Sequence, residues 1–415
     1  MRLVHVTTVP GTLNFLVNQP AHLAAQGHEV VLISSPGPAL EQIASSEGAR
    51  AIPLPMTRSI SLRDDLTSLI RLVRTLRRVR PDVLHAHTPK AGLLATIAGR
   101  LARVPVCIYQ IHGLRFITAT GGRRLILKGT ELIACTLAHH VLCVSPSVLD
   151  LAEDEHVIRR GKGQVIGSGT INGVDVSVFD PALVRQDAGA ARATLGIPAD
   201  APVVGFVGRL AADKGVAELA AAWSRIRETV PDAHLVVVGD DEANDPVDPN
   251  VIESLRRDVR VHLVGHQPDV RPYYGVMSVL VLPSAREGFP QTLLEGSAMG
   301  LATVGSDVPG VSDAVQDGRT GLLFPVHDVD ALVDCLLELL EDPVRRRELG
   351  DAGRRRALAE FDQRDVRERF LDYYLDAASA RNVDTAGGAP AAPPDGALQD
   401  GGPTAGRGRR RLRTS

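Results

Sequence analysis

Short apolar runs recur between stretches of helical period in this 415-residue chain, in two successive sets, and no other feature constrains its fold as much. From residue 1 to about 180 the runs are Leu3 to Val6, Glu29 to Ile33, Val83 to His85, Val106 to Ile111, Val141 to Val144 and Gln164 to Ile166. Brief runs that are apolar throughout suit strands buried on both faces, and helical segments between them suit the crossovers that parallel strands require. Composition then shifts over Pro181 through Ala201, a Pro/Ala/Asp-rich connection with one short helix candidate near Ala190 to Leu195. The pattern restarts with Val203 to Val207, Leu235 to Val238, Val261 to Val264, Val279 to Leu282, Ala302 to Val304 and Gly321 to Phe324. Helices over Val329 to Leu340, Val344 to Glu360 and Arg364 to Ala377 close the ordered part. The expectation is an α/β protein of two doubly wound parallel-sheet domains, 1–185 and 202–360, joined by a linker at 186–201 and facing a cleft, the default place for a ligand.

A hydrophobic fraction of 44% with 23% charged residues is ordinary for a soluble globular protein, and a net charge of −3 gives no general reason to expect nucleic acid. Cys107, Cys135, Cys143 and Cys335 lie scattered in apolar segments without a CxxC pair, so buried free thiols are expected rather than a disulfide framework or a zinc site. The N-terminus enters a strand without a long apolar leader, and no stretch reaches about 18 uncharged apolar residues. The expected location is therefore the cytoplasm. From about 381 to 415 the chain is Gly/Ala/Pro/Asp-rich and ends in Arg407-Gly408-Arg409-Arg410-Arg411-Leu412-Arg413, a composition that favours disorder, with the basic tip read as a solvated tail or, in the sharper alternative, as attracted to anionic lipid.

Chemistry concentrates in the second set. Glu287-Gly288-Phe289-Pro290-Gln291-Thr292-Leu293-Leu294-Glu295 follows the run Val279 to Leu282. On one unbroken helix its two carboxylates would differ in direction by about 80°. Gly288 and Pro290 both resist a helix interior, which puts Glu287 in a loop, the helix start near Gln291 and Glu295 in the second turn. The free N–H groups of that first turn form a ready phosphate site. Upstream, Gly208-Arg209-Leu210 and Asp213-Lys214-Gly215 follow the first strand of the same sheet, so a guanidinium fork and an ammonium point charge can meet a diphosphate.

Gly208-Arg209-Leu210 with Lys214-Gly215, the Glu287 to Glu295 segment, Met299-Gly300-Leu301-Ala302 and Asp317-Gly318-Arg319-Thr320-Gly321-Leu322 resemble the GT-B glycosyltransferases of retaining family 4. The likeness extends over about residues 1 to 375. It implies that Arg209 and Lys214 hold the donor diphosphate, that Glu295 accepts the ribose hydroxyls, that Glu287 lies beside the donor sugar, and that Gly288, Phe289 and Pro290 offer backbone contacts. It also implies a first domain for the acceptor, a helix over 361–380 returning to that domain, and neither a metal nor another cofactor. Asp240-Asp241 reads as an ordinary polar loop.

In the first domain, Tyr109-Gln110-Ile111-His112-Gly113-Leu114 ends a strand, and its histidine resembles the family residue that contacts the reacting sugar. His85-Ala86-His87-Thr88-Pro89-Lys90-Ala91-Gly92 resembles a bacterial subgroup acting on polyprenyl-diphosphate-linked saccharides, with His87, Thr88 and Lys90 as acceptor-side candidates. Two histidines one residue apart could suggest a metal, but no carboxylate or cysteine spacing supports one. Gly11 is retained as a donor-loop candidate, although family members carry two adjacent glycines there and this chain has Pro10-Gly11. The helix over Ser61 to Arg80 is amphipathic and basic, which suits peripheral contact with anionic membrane as well as plain packing. The reading is a retaining transferase of a UDP-linked sugar, such as an N-acetylhexosamine, to a lipid-linked saccharide or surface glycan. A sugar-nucleotide epimerase, a transferase with a soluble acceptor and a non-catalytic binding protein are the alternatives. An NAD-dependent dehydrogenase is disfavoured, because no GxGxxG follows the first strand of this chain.

Overall fold

The computed structural model describes residues 1–57, 61–243 and 245–383. The expected disordered tail and its basic tip lie, from residue 384 onward, outside the described residues. Strands β1 (Arg2–Val6), β2 (Glu29–Ser34), β3 (Arg50–Pro53), β4 (Val83–His87), β5 (Val106–Ile111), β6 (His140–Cys143) and β7 (Gly163–Val165) form one sheet in the order β3-β2-β1-β4-β5-β6-β7. Strands β8 (Val203–Val207), β9 (His234–Val238), β10 (Val261–Gly265), β11 (Val279–Leu282), β12 (Ala302–Ser306) and β13 (Gly321–Phe324) form the second, in the order β10-β9-β8-β11-β12-β13. Every pairing within these sheets is parallel. Strand order reverses between β1 and β4 and again between β8 and β11, and such switch points open a crevice at the carboxyl ends of the strands.

Both faces of the first sheet are covered. Val4, Val6, Leu84 and Ala86 face Leu72 and Leu76 of the basic helix (Leu62–Val79) and Leu94 and Ala98 of the next helix (Pro89–Ala102). The opposite face, with Leu3 and Val83, packs on Phe370, Leu371 and Tyr374 of the last helix (Gln363–Ser379). That helix thus leaves the second domain and closes the first. Its Gln363 accepts a hydrogen bond from the Asn18 side chain at 2.9 Å.

The stretch expected as a linker, 186–201, is structured otherwise. The helix Arg185–Thr194 and the residues after it carry Ala188, Ile197 and Ala201, together with Val184, into the core of the second domain beside Tyr274 and Val276. Within the helix only Ala188 is buried, and the segment is fixed in place by Val184 before it and Ile197 and Ala201 after it.

Candidate functional site

Local backbone geometry brings together residues expected on the donor side. Gly215 has φ +71, a left-handed conformation, and a Cβ there would stand 2.0 Å from the carbonyl oxygen of Pro283. Only glycine allows that approach. The start of the helix Val216–Thr229 is thereby pinned to the loop after β11. As a result Lys214 Nζ lies 2.5 Å from Glu287 Oε1, with the two side chains 17% and 11% exposed. Arg209, at the end of β8, pairs with Glu242 at 2.6 Å while its side chain stays 54% exposed. Neither cation is bare: each already holds a carboxylate partner.

The Gly288 to Pro290 loop wedges between the domains. A Cβ on Gly288 would lie 2.0 Å from the carbonyl oxygen of His112. Phe289 packs at a tilt on Phe361 with ring centroids 5.3 Å apart, and Gln291 donates to the Gly173 carbonyl at 2.6 Å. Pro290 precedes the helix Gln291–Ala298, which begins where its turn residues place it. Ser147 adds a second tie: its hydroxyl bonds the Asp313 carboxylate, and the Gly310 amide donates to that hydroxyl at 2.8 Å.

Glu295 occupies the second turn of that helix, where the hydroxyl of buried Tyr274 donates to its Oε2 at 2.8 Å. Burial pushes the Glu295 carboxyl up to about 7, against the opposing pull of the Tyr274 hydrogen bond. Tyr274 itself is held well above its ordinary range by burial and by the nearby carboxylate. Tyr274 and Glu242 were not anticipated. Tyr274 sits in a short helix (Arg271–Val276) of apolar appearance, and nothing local announces that its hydroxyl reaches across to Glu295.

The first domain contributes a run of imidazoles. His112 Nε2 is 3.2 Å from His87 Nδ1, and His87 Nε2 is 3.0 Å from His5 Nδ1. His85 Nδ1 meets the Tyr374 hydroxyl at 2.8 Å. His5, which drew no notice in the sequence, stands beside His85 because β1 pairs with β4 in that register. His5, His85 and His87 could together offer a metal three nitrogens within 4.8 Å of one another. However, both nitrogens of His87 are already in hydrogen bonds and no carboxylate or thiol joins the group among the described residues, so His5 and His87 read more simply as a hydrogen-bonded pair with the ring of His85 packed beside them.

The acceptor-side candidates separate. Thr88 has φ +72, a strained backbone for a β-branched residue and of order 1–3 kcal/mol in cost. Its hydroxyl lies 2.9 Å from that of Thr8. Lys90 turns to Asp65 of the basic helix at 2.6 Å. Gly11 lies exposed in the 3-10 turn Pro10–Leu16, where a side chain would meet nothing within 4 Å, so that position does not itself demand glycine.

Residues 12–169 match the family model described as a glycosyl transferase 4-like domain, and residues 201–342 match that of glycosyl transferases group 1. The chain is similar to the capsular polysaccharide biosynthesis glycosyltransferase CapM of Staphylococcus aureus, 29% identical over 373 residues that cover 90% of this chain and 96% of the relative. It is also 29% identical over 351 residues to the UDP-Gal:alpha-D-GlcNAc-diphosphoundecaprenol alpha-1,3-galactosyltransferase of Escherichia coli, covering 83% and 89% of the two. Among solved structures, Anabaena HepE in complex with UDP-glucose superposes with a TM-score of 0.77 at 18% identity over 91% of this chain and 100% of that one. Sucrose-phosphate synthase of Thermosynechococcus elongatus gives 0.74 at 23% identity, over 92% and 100%. These two likenesses establish the GT-B fold.

Proposed function

The chain belongs to the group 1 glycosyltransferases, with a family 4-like first domain, and from that premise we propose that it moves a sugar from a UDP-linked donor to a hydroxyl of a lipid-linked saccharide, with retention at the anomeric carbon. One observation carries the reading: the Lys214–Glu287 pair at the carboxyl end of the second sheet stands next to Gly288, which is in close approach to His112 of the first domain. The E. coli relative, whose acceptor is a saccharide on diphosphoundecaprenol, supports the acceptor class.

In this mechanism the donor diphosphate lies against Arg209 and Lys214, each charge-assisted hydrogen bond contributing about 1.5–3 kcal/mol. The bond from the anomeric carbon to the diphosphate breaks through an oxocarbenium-like state, and negative charge grows on the leaving oxygen. Fixed cations stabilise that charge more than they stabilise the intact donor. The acceptor hydroxyl attacks from the same face and gives its proton to the departing diphosphate, so no protein nucleophile is consumed. Glu295 takes the ribose hydroxyls in its ionised form. Glu287 orients Lys214 and lies at the sugar end.

The surface of the first domain suits a lipid-borne acceptor. No helix among the described residues is long and apolar enough to cross a membrane. On the basic helix, Leu72, Val73 and Leu76 face the core, while Leu62 (87% exposed) and Leu66 (59%) share an outer stripe with Ile70. Arg63, Arg71, Arg74, Arg77 and Arg78 flank that stripe and are exposed. A second outer stripe, Leu125, Ile126, Leu132 and Ile133, runs along the helix Gly121–Leu137. Exposed apolar stripes beside arginines fit an anionic membrane surface.

The test is transfer itself. A panel of UDP-, GDP- and ADP-sugars is offered with and without an undecaprenyl-diphosphate saccharide, and the product anomer is read by NMR. A product that keeps the donor's configuration and needs the lipid-linked acceptor supports the proposal. Conversion of the donor alone would favour the epimerase reading, and equal transfer to a soluble sugar would remove the lipid-linked acceptor.

A further inference from the structure

We infer that His5, His87 and His112 act as one hydrogen-bonded chain that holds His112 in a single tautomer, with Nδ1 protonated and Nε2 unprotonated. His5 and His87 are thereby positioning residues for His112. The inference rests on the proposed site only in giving that N–H a donor-sugar or phosphate oxygen as its partner.

Burial lowers His5 to about 3 and His112 to about 4 and takes His87 well below the ordinary range, so all three rings are neutral near pH 7. A neutral imidazole has one donor and one acceptor nitrogen. The two contacts, 3.0 Å and 3.2 Å, therefore admit only two arrangements, and the rings must switch together. In the first, protons point inward from His112 to His87 to His5, which leaves an N–H on His5 Nε2. In the second they point outward from His5 to His87 to His112, which leaves a bare lone pair on His5 Nε2. That atom is buried, His5 is 0% exposed, and no partner reaches it. An orphaned buried N–H is the rarer and costlier of the two. The outward arrangement wins.

Its consequence falls at the other end of the chain. With Nε2 accepting from His87, the proton of His112 must sit on Nδ1, which has no partner among the described residues on a ring that is only partly buried. Phe15 stacks on this ring with centroids 5.5 Å apart and limits its rotation. His112 then offers a neutral donor to a ligand oxygen without adding a charge.

The test is a ¹⁵N spectrum of the histidine side chains in the intact, substrate-free protein near pH 7.5, with His112 assigned from the spectrum of His112→Asn. The inference expects a protonated Nδ1 and a bare Nε2 on His112. His87→Leu should release the constraint and move His112 toward the other tautomer, while His87→Asn, which keeps an amide donor near the place of Nδ1, should preserve it. In transfer assays His87→Leu should lose about three- to ten-fold in kcat with little change in donor KM, and His87→Asn should recover to within about two-fold, the scale of one hydrogen bond. Protonation at Nε2 of His112 in the unmodified protein overturns the inference whether or not the variants fold. So does an unchanged tautomer in folded His87→Leu. The expected tautomer in a protein that transfers no sugar would sink the transferase reading alone and leave the histidine chain standing.

Discussion

Glu295→Gln tests the donor site through pH. A carboxylate that accepts two ribose hydroxyls must be ionised, yet burial lifts the Glu295 carboxyl to about 7. Donor affinity should therefore fall as pH drops through that value, because binding selects the ionised fraction. At pH 6 about one carboxyl in ten is ionised, so the apparent dissociation constant should be about ten-fold weaker than at pH 8, or about 1.4 kcal/mol. The Gln variant keeps an acceptor for the Tyr274 hydroxyl but cannot titrate. It should bind more weakly than the parent at pH 8 and hold that value nearly flat down to pH 6. Isothermal calorimetry with an intact UDP-sugar is the right assay, since its diphosphate diester does not titrate in this window as the terminal phosphate of UDP would. Parallel pH curves for the two proteins would refute the assignment of the ribose to Glu295.

Lys214→Ala should lower kcat by about 10²-fold or more while donor affinity falls less, because the lost charge matters most as the diphosphate leaves; equal losses in kcat and binding would point to plain donor attachment. Gly288→Ala places a methyl about 2.0 Å from the His112 carbonyl and should cost about 1–3 kcal/mol by overpacking, seen as a lowered melting temperature together with reduced transfer. Leu62→Glu combined with Leu66→Glu should abolish flotation with anionic vesicles and leave transfer to a detergent-dispersed acceptor intact; flotation equal to the parent's would set the outer stripe aside.

Much of the architecture was legible because parallel strands announce themselves: Val203 to Val207 and Val279 to Leu282 are apolar throughout and buried throughout. The helix start at Gln291 was legible for an equally local reason, the turn residues before it. What depended on distance in sequence was hidden. Lys214 and Glu287 could be placed after two strands of one sheet, but their direct pairing needs Gly215 against Pro283, a contact that appears only in three dimensions. His5 joins the cluster through strand register, because β1 and β4 are neighbours in the sheet and set His5 opposite His85. Conversely, the amphipathic period of the basic helix does not show that its apolar residues divide between the core, with Leu72 and Leu76, and solvent, with Leu62 and Leu66. The packing of the 186–201 segment was hidden because its Pro/Ala/Asp-rich composition offers no apolar run, although Ala188 and Ile197 both enter the core of the second domain.

The most direct measurement is a single-turnover reaction with an anomerically defined UDP-sugar and an undecaprenyl-diphosphate-linked saccharide, with the parent and Lys214→Ala compared side by side. Transfer with the donor's anomeric configuration retained, lost in the variant, is the predicted result. Inverted product, or parent-like turnover without Lys214, would contradict the account.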